Sequence, residues 1–269
     1  MFIDSHCHLD EVEGLDDFLN TLNNDEEMTA VVTLGCDAGS SEAAVKIAEK
    51  NDKVFCAVGF QPEYAAEFND GDIAKIETLL SNKKVVAIGE VGLDFYWTRE
   101  TEQVQKEMFV RQIELADKHK LPICIHCRNA APEMFEILKS NIRKLKTGFV
   151  LHCFSEAFEW VRPFIELGAF ISFAGNSTFR SYDKKILKAV PADRILIETD
   201  SPFLSPVPLR GQKNTPINVK LVAKNLAEVR GEDSDTLAKQ IEKNTKLFYR
   251  KKWRRICTRK ANRHSRKHT

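Results

Sequence analysis
Short apolar runs and helix-period stretches take turns along the whole chain. The runs are FIDSHCH, TAVVTLG, KVFCAVG, KVVAIGE, LPICIH, GFVLH, GAFISF and RILIETD, most of them rich in β-branched residues. Each reads as a strand. Between them, SSEAAVKIAEKN, IAKIETLLSN, TEQVQKEMFVRQIELADKHK and APEMFEILKSNIRKL are amphipathic, and NVKLVAKNLAEVRG and SDTLAKQIEKNTKLFYRKK close the series. Strand, helix, strand with short turns means parallel strands joined by right-handed crossovers. A doubly wound sheet would want a G-x-G-x-x-G turn after its first strand, and none is present. Eight runs therefore predict an α/β protein of the (β/α)8 TIM-type barrel class. No linker interrupts the alternation, so residues 1–249 are expected to form a single barrel domain.

Composition changes this picture little, except at one end. The chain has 269 residues, 43% hydrophobic and 29% charged, an ordinary soluble profile. No apolar run approaches the roughly 18–20 residues that span a bilayer, and no secretory signal opens the chain, so a cytoplasmic location is expected, with no membrane and no obligate protein partner. Seven cysteines without framework spacing read as reduced thiols, and the C-x-x-C of Cys124 and Cys127 sits inside an apolar run. The formal net charge of +1 hides an asymmetry: residues 250–269 hold ten of the 40 Lys/Arg and none of the 39 Asp/Glu. The rest of the chain is acidic, at a net −9. The tail is expected to be flexible and suits a polyanion.

The chemistry shows in the polar residues at the end of each run. In a closed parallel barrel the C-terminal strand ends converge on one mouth, where catalysis is placed. The first run carries Asp4, His6 and His8, which period two puts on one face. The fourth ends at Glu90, the fifth at His126, the sixth at His152 and the eighth at Asp200. Of the five histidines outside the tail, only His119, in a lysine-rich helical stretch, is elsewhere. Packing gives no reason to gather four imidazoles and two carboxylates at one end of a core. Burying them unpaired costs several kcal/mol apiece, which a divalent metal cluster removes.

These residues match a family. The chain resembles the TatD-type metal-dependent hydrolases, the TatD deoxyribonuclease family of amidohydrolase-like barrels, from Phe2 to about Tyr249. The resemblance is carried by DSHCH, GEVGLD (Gly89 to Asp94), ICIHCR (Ile123 to Arg128), LHCFS (Leu151 to Ser155), ETDSPFLSP (Glu198 to Pro206) and RGQKNTP (Arg210 to Pro216). It implies two divalent metal ions per chain, Mg²⁺ or Mn²⁺ in action with Zn²⁺ readily bound. His6 and His8 would hold one ion, His126 and His152 the other, with Glu90 bridging. Asp200 would ligate the first ion and also orient or deprotonate the attacking water. Arg128, Ser201 and the loop from Arg210 to Asn214 would line the substrate groove, with DNA ends or single strands as substrate.

One position departs from the pattern. The family usually has G-x-H-P after the third strand, with the histidine toward the phosphate backbone, whereas this chain reads GFQP with Gln61 there. Glutamine can bond a phosphate oxygen but cannot carry charge or transfer a proton. Three functions are compatible with these residues: a metal-dependent deoxyribonuclease working from 3′ ends, a two-metal esterase, lactonase or aminoacyl-tRNA deacylase, and a non-catalytic nucleic-acid-binding protein acting through the tail.

Overall fold
A computed structural model describes residues 1–249; the basic stretch 250–269, and with it every expectation placed on the tail, lies outside the described residues. Eight strands form one sheet in chain order. They are β1 (Phe2–Cys7), β2 (Met28–Leu34), β3 (Val54–Val58), β4 (Val85–Asp94), β5 (Ile123–Arg128), β6 (Phe149–Leu151), β7 (Phe170–Phe173) and β8 (Ile195–Ile197). Every adjacent pair from β1 to β8 is parallel. The helices are α1 (Leu15–Asn24), α2 (Ala38–Lys50), α3 (Asp70–Leu79), α4 (Glu102–His119), α5 (Ala131–Ser140), α6 (Val161–Glu166), α7 (Lys184–Ala189), α8 (Val219–Arg230) and α9 (Ser234–Phe248). The (β/α)8 barrel expected from the alternation is the observed fold. Among the described residues, no helix is long and apolar enough to cross a membrane.

The seam between β8 and β1 closes by main chain and side chain together. The His8 N–H donates to the Ser201 carbonyl at 2.7 Å, and the Asp200 N–H to the His6 carbonyl at 3.0 Å. Deeper down, the Asp4 carboxylate accepts from the Thr199 N–H at 2.9 Å and from its hydroxyl. The Ser5 hydroxyl donates to the Ile197 carbonyl at 2.8 Å.

Strand alternation sorts the apolar residues into two layers. Along β2, Ala30, Val32 and Leu34 face the barrel interior while Val31 packs toward the helices. Phe55, Cys124, Phe170 and Leu196 join the interior layer, which Phe248 and Tyr249 complete from the end of α9. The Tyr249 hydroxyl donates to the Ser5 carbonyl at 2.8 Å, so this apolar packing keeps its polar tip satisfied.

Two bulges break the alternation where the chemistry is. On β1, Asp4 pairs with Val31 and Cys7 with Thr33, three steps against two. On β4, Ile88 pairs with Ile123 and Val91 with Ile125, again three against two. Each extra residue reverses the in-out parity beyond it. The expectation that Asp4 shares a face with His6 and His8 therefore fails: Asp4 is a seam residue, bonded to Thr199. Three helices were not expected. The six-residue α6 and α7 are too short to show a full helical period. The chain of α1, LDDFLNTLNN, is diluted by Asp and Asn.

Candidate metal centre
All six expected ligands meet at the C-terminal mouth of the barrel. His6 and His8 come from the end of β1, Glu90 from the β4 bulge, His126 from β5, His152 from just past β6, and Asp200 from just past β8. Glu90 stands in the middle and divides its two oxygens between the histidine pairs. Its Oε1 lies 2.9 Å from His126 Nδ1 and 3.0 Å from His152 Nε2. Its Oε2 lies 3.3 Å from His6 Nε2 and 3.5 Å from His8 Nε2. Asp200 Oδ1 closes the first group at 3.6 and 3.5 Å from the same two nitrogens. Gly92, between Glu90 and Asp94, permits this crowding, since a Cβ there would lie 2.0 Å from the His126 carbonyl oxygen.

The outward nitrogens fix the imidazoles. His8 Nδ1 donates to the Leu34 carbonyl at 3.2 Å, His126 Nε2 to Asp94 Oδ2 at 2.8 Å, and His152 Nδ1 to Glu198 Oε1 at 3.3 Å. Each partner only accepts, so the proton of a neutral ring sits on the outward nitrogen and the inward nitrogens of these three rings are free to offer lone pairs to an ion. His126 Nδ1 and His152 Nε2 lie 3.2 Å apart, both facing a carboxylate. His6 Nε2 and His8 Nε2 are likewise 3.2 Å apart, and Glu90 Oε2 has no hydrogen-bond partner among the described residues. Nitrogens converging on one carboxylate call for a cation between them, a proton or a metal ion. Two imidazoles about 2.0–2.1 Å from one ion stand roughly 3.0–3.4 Å apart, as these do. The donor set fits a metal ion: His6, His8 and Glu90 form one group able to hold one, and Glu90, His126 and His152 another.

Electrostatics point the same way. Burial alone would depress the His126 imidazole, but its bonds to Asp94 and Glu90 push it up to about 9. Burial also opposes the charge on His152 and His8, and the surrounding carboxylates raise both. His6, buried and stacked on His152 at 4.0 Å between ring centroids, moves down instead. Burial would raise Asp200, yet the His8 bond and the neighbouring imidazoles hold its carboxyl down at about 2. Glu90 is likewise held ionised against burial by the histidines. Positive charge is wanted here, and the backbone is bent to collect it: Cys153 and Asp200 sit at φ 43° and 55°, in the left-handed region that costs a non-glycine residue roughly 1 kcal/mol or more.

The centre opens into a cavity of about 760 Å³. Gln61 lines it and donates from Nε2 to Glu90 Oε1 at 3.1 Å. Arg128 lines it too, with its guanidinium 3.7 Å from the centre of the Tyr96 ring. The other three expected substrate contacts are placed elsewhere. The Ser201 side chain is fully buried, and that residue serves the seam through its carbonyl. Arg210 stacks on Phe179 at 4.4 Å, outside the cavity lining. Asn214 is buried and bonds the Thr199 and Phe203 carbonyls, so it shapes the loop that follows β8. Cys124 faces the barrel interior and Cys127 the helices, opposite faces of β5, and both are free thiols.

Two buried carboxylates at the site carry no assignment from the sequence. Asp94 holds His126, and Glu198 holds His152 while also accepting from the Cys153 N–H at 2.6 Å and the Ser172 hydroxyl at 2.5 Å. The signal was spacing: Glu198 precedes Asp200 by two residues, and Asp94 follows Glu90 by four.

Comparison with known proteins points to metal-dependent hydrolases. A family model described as TatD related DNase matches residues 3–250. The chain is 35% identical over 254 residues to the uncharacterized metal-dependent hydrolase YabD of Bacillus subtilis, covering 93% of this chain and 99% of that one. It is 34% identical over 257 residues to the uncharacterized metal-dependent hydrolase YcfH of Escherichia coli K12, covering 92% and 95%. Among solved structures, it overlays on YjjV, a TatD homologue of Escherichia coli K12, with a TM-score of 0.86 at 26% identity, covering 92% and 97%.

Proposed function
Because the chain belongs to the TatD-related DNase family, whose relatives are metal-dependent hydrolases, we propose that it hydrolyses phosphodiester bonds of DNA, shortening single strands from their 3′ ends. In this reading it works in the cytosol. The observation that carries the proposal is the division of Glu90 between two histidine pairs, which prepares two cation positions on either side of one carboxylate. His6, His8 and Asp200 would hold one ion and His126 and His152 the other, with Glu90 shared. Mg²⁺ or Mn²⁺ suits phosphodiester chemistry and abundance, while the imidazole-rich donors also take Zn²⁺. Bound there, such ions would polarise a phosphoryl oxygen and make a water acidic enough to attack.

The protein's own groups do the rest. Asp200 is ionised and borders the cavity, so it can receive the proton that the attacking water gives up. Asp94 and Glu198 keep His126 and His152 in the tautomers that face inward. Gln61, neutral and turned to Glu90, offers a hydrogen bond to substrate but no charge. This last point favours a second reading, ester or lactone hydrolysis at the same centre, because fold alone does not choose the substrate.

The test is a 3′-end-labelled single-stranded oligonucleotide beside aryl ester and lactone substrates, each with Mg²⁺ or Mn²⁺ and with EDTA. The oligonucleotide alone should be consumed, and only with metal. Turnover of the esters with an intact oligonucleotide would replace the nuclease reading with the second one.

A further inference from the structure
The cavity has an uneven rim. Among the described residues, Arg128 is the sole lysine or arginine lining it, whereas four aromatic side chains do: Tyr64, Tyr96, Trp97 and Phe203. Trp97 is 65% exposed and Tyr96 51%, a costly display of large apolar surface unless something covers it. The barrel around the rim is acidic, at a net −9 outside residues 250–269, and Glu11 and Glu63 also border the cavity. Beyond the ion positions themselves, the protein's own side chains at the rim offer a polyphosphate backbone little attraction.

The aromatic segment is anchored beside the metal centre at its first residue. The Tyr96 N–H donates to Asp94 Oδ1 at 2.8 Å, while Asp94 Oδ2 accepts from the ligand His126 at 2.8 Å. One carboxylate therefore sets both the imidazole and the start of the aromatic segment. Arg128 follows His126 by two residues on β5, and its guanidinium lies 3.7 Å from the Tyr96 ring centre and 5.4 Å from that of Trp97. The rings meet edge to face at 4.8 Å, so the two faces turn in different directions. A planar cation held on one ring beside a second, open ring is the arrangement that takes a stacked base together with its flanking phosphate.

We propose that Tyr96, Trp97 and Arg128 form a subsite for one unpaired nucleobase beside the scissile phosphate, with Trp97 as the stacking surface. The proposal rests on the nuclease reading above and deepens it. A base inside a duplex has both faces covered by its neighbours, so stacking on Trp97 selects an unstacked end. The subsite thus makes unpaired termini the preferred substrate, a choice that the attraction of ions for phosphate does not make.

The experiment compares a short single-stranded oligonucleotide with one carrying an abasic residue at the terminal or penultimate position. Both are offered to the wild-type enzyme, to Trp97→Ala and to Trp97→Phe under the same metal. Trp97→Ala should raise KM for the intact strand about tenfold, with a much smaller change in kcat, within the range found for a lost base stack. Trp97→Phe should recover most of that loss. One abasic position should raise the wild-type KM similarly, and the ring and base losses should overlap, not multiply. Equal KM for intact and abasic strands in the wild type, or losses that multiply, would overturn the subsite while the nuclease reading stands. If the wild type shortens neither strand, the nuclease reading falls and takes the subsite with it.

Discussion
The two ends of the barrel are made by the same eight strands and solve opposite problems. At the strand starts, Ile3, Phe55, Val86 and Phe170 close over Phe248 and Tyr249, and little there is polar. At the strand ends, four imidazoles crowd around Glu90, bulges interrupt β1 and β4, and Cys153 and Asp200 take left-handed backbone. The first end gains stability by removing apolar area from water. The second spends stability on buried charge and strained backbone, so that cations have a prepared place. The division explains why strand ends are the informative positions in a parallel barrel.

Asp200→Asn should break the chemistry of the mouth alone. Turnover is expected to fall about 10²–10⁴-fold, the usual worth of a positioned acid–base group, while oligonucleotide binding survives. Single-turnover cleavage beside equilibrium binding measures both. Phe248→Ala should do the converse at the other end, losing about 3–5 kcal/mol of stability in urea unfolding, with kcat held wherever the chain is folded. Stripping the metal with EDTA should lower stability by about 2.7 kcal/mol relative to protein with ion at 100 times its dissociation constant. That corresponds to roughly 5–10 °C in melting temperature, and Phe248→Ala should preserve the gap. Glu198→Gln and Asp94→Asn sharpen the comparison within the mouth. Each should weaken metal binding about 10–100-fold in a titration of metal-free protein, because the carboxylate that orients the imidazole and raises its basicity becomes a neutral amide. The smallest effect is expected from Tyr249→Phe, about 1 kcal/mol for the bond to the Ser5 carbonyl, with metal affinity unchanged.

Strand ends were legible because a parallel barrel converts sequence position into spatial position. His126 and His152 are 26 residues apart in the chain and touch because one lies in the C-terminal half of its strand and the other just past its own. The alternation gave the class of fold by the same logic. Asp4 was misplaced because a bulge is one extra residue with no compositional mark, and it reverses every parity-based inference beyond it. Ser201, Arg210 and Asn214 were assigned to the groove from motif position, but they lie where the chain after β8 follows no period. Their directions depend on loop hydrogen bonds such as that from Asn214 to Phe203. Asp94 and Glu198 went unassigned because a carboxylate that holds a histidine and one that holds an ion look alike in a sequence.

The seam between β8 and β1 bears on how the protein is made. His6 and Asp200 lie 3.6 Å apart across it, the Asp4–Thr199 bond spans 195 residues, and the Tyr249–Ser5 bond spans 244. Contacts of such separation form late, after a long loop has been closed. As the chain leaves the ribosome, its first histidines wait without their partners until almost all of the barrel has been synthesised. A partly made or prematurely ended chain thus carries the opening DSHCH and no assembled centre, which keeps an unfinished hydrolase inert toward whatever lies nearby.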